Sequence, residues 1–224
     1  MIRIFFILFL TTGSCFAQDS IRFGKLIPRS ALKFAPATLA NFYPTLEFSY
    51  EQKIASRFSI QIGYGHVIKI DKSFDPEYQN KRGYKGKIEI RYYLMPSQKY
   101  NLVYYVAPAG YWNVVDFDRE TSQQECYDLS CTHTFTRYYN YVVNYREHGF
   151  TLKFGFVKHF TKSIFIDVNG GWSFRYIDYD EPLIPPGINN FFVEDAFLFG
   201  NIPKEEDWFT LTPLIGFRVG YRFR

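Results

Sequence analysis

Along much of this chain, apolar and polar residues alternate with a period of two, the signature of a β-strand with one apolar face. Leu46, Phe48 and Tyr50 alternate with Glu47, Ser49 and Glu51, and Phe58, Ile60, Ile62 and Tyr64 with Ser59, Gln61, Gly63 and Gly65. The same pattern sets Ile88, Ile90, Tyr92 and Leu94 against Lys87, Glu89, Arg91 and Tyr93, and Phe150, Leu152, Phe154 and Phe156 against Thr151, Lys153 and Gly155. It returns at Ile164, Ile166, Val168, Trp172 and Phe174, and again at the end, where Phe217, Val219, Tyr221 and Phe223 face Gly216, Arg218, Gly220 and Arg222. Facing residues of a hairpin share a side of the sheet, so apolar parity must carry through each tight turn. It does so across Ala55-Ser56-Arg57 and across Thr161-Lys162-Ser163.

Short links are expected at 54–57, 96–100 and 161–163, and long polar links near 70–83, 116–145 and 177–208. Turns sorted by length to opposite ends of a sheet are the mark of a transmembrane barrel, and a β-sandwich has no reason to sort them. A first strand around 30–36, interrupted by Pro36, and a fifth around 101–115 bring the number to about eight. The parity of the fifth is unreadable, because Val103-Tyr104-Tyr105-Val106 is apolar on both faces. The expected fold is therefore all-β: an eight-stranded antiparallel transmembrane barrel with short periplasmic turns and long extracellular loops, spanning 30–224.

Composition strengthens this reading. The chain has 19 Tyr and 25 Phe in 224 residues, yet a mean hydropathy of only −0.20. A barrel wall uses rings on its lipid face and in its interfacial girdles, whereas a soluble core seldom needs so many. Arg3, the apolar stretch Ile4 to Leu10 and the small residues before Gln18 make residues 1–17 a cleavable export segment, leaving 18–29 as a periplasmic N-terminal segment. The net charge of +4 comes without a basic run, so nucleic acid is not an expected partner.

The Phe16-Ala17-Gln18 end of the export segment, the strand Leu46 to Glu51 with its hairpin, and the terminal Gly216 to Phe223 resemble the small outer-membrane barrels of Bacteroidota, similar to the OmpA/OmpX type. The resemblance implies an outer-membrane location in a Gram-negative bacterium, contact with outer-membrane lipid and lipopolysaccharide, and insertion by the barrel-assembly machinery. Phe217, Val219, Tyr221 and Phe223 would be that machinery's recognition signal, although Arg224 follows where the signal ends on the ring.

Candidate chemistry is sparse. Inward parity collects Glu47, Lys87, Glu89, Arg91, Lys153, Asp167, Arg175 and Arg218, with Glu51 and Arg222, into a lumen polar network of paired charges, since unpaired buried charge is costly. Cys126 and Cys131 are placed to form a disulfide in an exported loop. Of His66, His133, His148 and His159, only His66 and His133 are placed for catalysis beside an outer-leaflet lipid, and neither matches a hydrolase signature. No metal-ligand spacing or cofactor motif is present. Carboxylates at 116–120, 178–181 and 205–207 are read as loop charge, with calcium binding as the sharper alternative. The last loop carries Phe191, Phe192, Val193, Phe197, Leu198 and Phe199, either folded over the barrel mouth or offered to another outer-membrane protein. The expected function is a non-enzymatic barrel, structural or an accessory subunit; the alternatives are a lipid-modifying enzyme and a narrow channel.

Overall fold

A computed structural model describes residues 26–40, 43–69, 78–126, 134–180 and 208–223. Its strands are β1 (Ser30–Phe34), β2 (Thr45–Lys53), β3 (Phe58–Val67), β4 (Tyr78–Ser97), β5 (Leu102–Cys126), β6 (Thr134–His159), β7 (Ile164–Asp180) and β8 (Trp208–Phe223). Each pairs antiparallel with its sequence neighbour, and β1 returns to pair with β8, so the all-β sheet closes into a barrel.

Alternation decides which side chains face in. On β1 to β7 the odd-numbered residues point into the barrel, except at the ends of β4, where irregularities between Gln79 and Arg82 and between Tyr93 and Pro96 shift the parity; on β8 the even-numbered ones do. Leu32, Phe48, Tyr64, Ile88, Phe154 and Trp172 consequently stand exposed on the outer wall, while Lys33, Glu51, Arg91, Lys153 and Asp167 are buried within. The ambiguous run in β5 resolves on the same rule, with Val103 and Tyr105 inside and Tyr104 outside.

The tight turns at one end are built alike. In Ile54–Phe58 the amides of Ile54 and Ala55 both donate to the Phe58 carbonyl, and in Phe160–Ile164 those of Phe160 and Thr161 both donate to the Ile164 carbonyl. Thr161 Oγ1 also accepts from the Ile164 amide at 2.9 Å. Between β4 and β5 a 3-10 turn over Gln98–Tyr100 leads into Asn101, whose φ of 50° is a left-handed conformation that Asn tolerates.

The other end departs from the expected loop lengths. Residues 116–145 were expected to form a long polar link, but β5 and β6 continue as a paired hairpin from Leu102↔Lys158 to Cys126↔Thr134. Likewise β4 begins at Tyr78, inside the expected 70–83 link, and β7 persists to Asp180. The strand at 30–36 stops at Phe34; Pro36, which has no amide proton for the ladder, instead opens a 3-10 turn over Pro36–Ala40. That turn is anchored by the Ala35 amide on the Glu47 carbonyl and by Thr38 Oγ1 on the Thr45 carbonyl. It packs against β2 and β8 where β1 has ended, so Pro213 of β8 sits where no β1 ladder bond is required.

Candidate functional site

The interior is filled in layers. Nearest the tight turns lies an apolar seal of Ile27, Tyr93, Val103, Tyr105, Ala107, Val157 and Phe165, all essentially without solvent contact. Two inner-wall glycines make the room: a side chain at Gly155 would collide with the Tyr105 ring, and one at Gly220 with the Phe165 ring. Ile27 precedes β1, so the chain enters the barrel's base before its first strand, and the Leu26 carbonyl is held by His159 Nε2 at 2.7 Å.

Above this seal is a charged layer with almost no solvent access. Asp167 is contacted by Lys33 Nζ at 2.8 Å, Arg91 Nη1 at 2.8 Å and Arg218 Nη1 at 3.6 Å, and it accepts a hydrogen bond from the Tyr105 hydroxyl at 2.5 Å. Glu89 is contacted by Arg91 Nε at 2.6 Å, Lys153 Nζ at 2.7 Å and Arg218 Nη2 at 3.7 Å. Glu51 meets Lys33 at 2.6 Å and accepts from the hydroxyls of Ser59 and Tyr93. The Arg91 guanidinium also lies over the Tyr105 ring at 4.2 Å, so an aromatic face covers one flat side while Glu89 and Asp167 stand at its edge.

A second polar layer follows. Lys87 pairs with Glu47 at 2.9 Å. Glu147 accepts from Tyr111, Asn113 and Tyr145, each at 2.9 Å, and lies 3.7 Å from Arg175. Over it sits the upper apolar seal, Val67, Val115, Phe117, Val143 and Ile177, joined by the body of Tyr145. Tyr43, from the link before β2, stacks on Phe117 and Tyr145 with centroids 6.2 and 5.4 Å away.

All eight residues expected to form a lumen network are brought together: Glu89, Arg91, Lys153, Asp167 and Arg218 in the first charged layer, Glu47, Lys87 and Arg175 in the second. Sequence reasoning missed Lys33 and Glu147. Glu147 was findable by carrying the parity of Lys153 three steps up β6, whereas Lys33 sits in a strand too short to show a period. The tyrosine hydroxyls had no such signal, since a tyrosine reads equally as wall or lumen.

Other expected site residues fall elsewhere. Asp116 and Asp118 are not loop carboxylates but outward positions of β5, with Arg82 3.8 Å from Asp116 and Asn80 Nδ2 donating to Asp118 at 2.5 Å. Asp178 and Asp180 are outward positions at the end of β7. Among the described residues, no group of three His, Cys, Asp or Glu side chains is placed to hold a metal. His66 stands exposed on the outer wall of β3. Phe217, Val219, Tyr221 and Phe223 all face outward on β8. Residues 1–25, His133, Cys131 with the thiol of Cys126, residues 205–207 and the stretch from Phe191 to Phe199 lie outside the described residues.

Chemically, this interior sets its charges against one another, although among the described residues both amide atoms of Gln61 and Arg91 Nη2 are buried without a hydrogen-bond partner. Each carboxylate meets at least one cation, as buried charge requires, and apolar side chains close the network above and below. No family model, curated protein or solved structure matches the chain.

Proposed function

We propose that this protein is an eight-stranded transmembrane barrel of a Gram-negative outer membrane, exported by residues 1–17, sealed against conduction, and acting without catalysis as a structural or accessory subunit. The observation that carries this reading is an inversion of polarity along single strands. On β7 the outward positions from Ile164 to Phe174 are Ile164, Ile166, Val168, Gly170, Trp172 and Phe174, without a polar side chain. That run has the length of about 9–11 residues that a tilted strand needs to cross hydrocarbon. Beyond it the pattern reverses, with Asp178 and Asp180 outside and Ile177 buried inside. The neighbouring strands reverse at the same height: Asp116 and Asp118 face out on β5 while Val115 and Phe117 face in, and Arg146 and Asn144 face out on β6 while Tyr145 and Val143 face in. A wall apolar outside and polar inside suits lipid, and one polar outside and apolar inside suits water.

The part that inverts is the part free to meet partners. The β5–β6 hairpin continues past the last β6–β7 pair, Asn144↔Asp180, and past the last β4–β5 pair, Tyr78↔Arg119, as a two-stranded arm with Phe135 and Tyr138 exposed and Val142 exposed at its base. Aromatic side chains on a water-facing arm are typical anchors of protein interfaces. The aromatic stretch from Phe191 to Phe199 is proposed as part of the same extracellular surface. The two apolar seals and the paired charges between them support a closed lumen over a channel.

Insertion is tested by refolding into phospholipid vesicles: a heat-modifiable band resistant to protease supports the reading, and a fully digested protein overturns it. The subunit role is tested by purification in mild detergent with and without residues 120–140. A partner retained only with the arm is expected, and a partner-free monomer in both would sink it.

A further inference from the structure

The outer wall carries a built groove near the height at which polarity inverts. Five outward positions lie in one row across β4 to β8: Gly86, Trp112, His148, Tyr176 and Phe209. The rings in this row part in the middle. The Trp112 indole leans over β4 and occupies the place a side chain of Gly86 would take. His148, Tyr176 and Phe209 stack the other way in a ladder, with centroids 5.0 and 5.1 Å apart. In the next row toward the tight turns, Gly110 stands between Ile88 and Phe150, and a side chain added there would meet nothing within 4 Å. The result is a groove of about 580 Å³, floored by Gly110 and the backbone of Gly149, walled by Trp112 and Ile88 on one side and by Phe150 and Phe174 on the other. Its volume lies within the about 300–1,000 Å³ usual for small-molecule sites.

The chemistry at its upper rim is different. In the row above, Arg146 is an exposed cation directly following His148 on the outer face of β6, with Asp178 beside it on β7. An apolar trough ending at an imidazole, with a guanidinium one row beyond it, is shaped for a molecule with a hydrocarbon tail and a phosphate head. We infer that this groove binds one acyl chain of a phosphate-bearing outer-leaflet lipid, with the phosphate at Arg146 and His148 and the chain over Gly110. The inference rests on the transmembrane reading above, and it assigns the barrel a specific lipid where that reading needs only bulk membrane.

Because Gly110 faces open space, Gly110→Phe fills the groove without disturbing the sheet, while Ile215→Phe adds the same ring at a fully lipid-facing position elsewhere on the wall. Wild type, both variants and Arg146→Gln are purified in detergent and mixed with lipid A, or with diacylglycerol as the phosphate-free control, and lipid retention is read by native mass spectrometry. Wild type and Ile215→Phe are expected to hold one lipid A in preference to diacylglycerol. Gly110→Phe should lower retention at least tenfold, and Arg146→Gln should erase the preference for lipid A. Equal retention in Gly110→Phe and wild type, or no preference between the two lipids, overturns the groove assignment. Heat-modifiable mobility is measured on the same samples: a barrel that forms and inserts but holds no specific lipid defeats this inference alone, whereas one that never inserts defeats the membrane reading beneath it.

Discussion

Two charged layers share this lumen, and they are built to different standards. In the lower one Lys33, Glu51, Glu89, Arg91 and Asp167 have no solvent contact, and each carboxylate meets at least two cations or hydroxyls. In the upper one Lys87 keeps 23% of its side chain exposed and Arg175 keeps 16%, and their partners are single carboxylates. Desolvation explains the contrast. A charge removed wholly from water costs several kcal/mol and is tolerated only where several opposite groups surround it, whereas a partly wetted pair needs one partner. The layer with the most partners is thus the one that suffers most from losing a member.

Mutations along this gradient give effects that fall in order. The largest is expected from Asp167→Ala, which leaves Lys33, Arg91 and Arg218 buried together with one carboxylate fewer to share. It should cost about 3–5 kcal/mol in urea unfolding from vesicles. A loss below about 1 kcal/mol would mean that water reaches this layer and that the contrast is false. Next comes Gly155→Leu, which drives a side chain into the Tyr105 ring of the lower seal and should cost about 1–3 kcal/mol in the same assay. Glu147→Gln removes the charge and turns one of the two acceptor oxygens into an amide donor, leaving one oxygen for either Tyr111 or the pair Asn113 and Tyr145, so about 1–2 kcal/mol is expected. The smallest effect belongs outside the barrel. Arg82→Ala breaks a pair whose arginine is 65% exposed, and no more than about 1 kcal/mol should be lost, with the difference vanishing in high salt.

How much of this was legible in the sequence follows the division between apolar and polar stretches of the outer wall. Where the outer face of the sheet is apolar, Ile164, Ile166 and Val168 announce their strand, and Asp167 between them announces the lumen. Parity alone therefore placed Glu47, Glu89, Arg91 and Arg218 inward. Toward the far end of the strands that pattern lapses. The stretch from Asp116 to Glu120 has polar residues outside and Phe117 inside, and from Thr134 to Asn140 both faces are exposed, so the hairpin reads as a loop although its backbone stays paired. Lys33 was hidden for another reason: a strand as short as β1 gives too few positions to establish a period. The upper seal was illegible because Tyr43 reaches it from a link, and nothing local says where a link's ring will land.

The closing seam carries a consequence for how the molecule is made. Ser30 pairs with Phe223 and Phe34 with Val219, so the ring is completed by two segments nearly the whole chain apart. Every other ladder joins strands adjacent in sequence and can zip from its own turn, but this one has no turn to start from. Contacts of such separation form slowly, because loop entropy is lost before any pairing energy returns. Ile27, three residues ahead of the seam, can be enclosed only as the ring shuts around it. The final event in assembly is thus simultaneous: the last strand delivered meets the first, and the base of the lumen is stoppered by the same stroke.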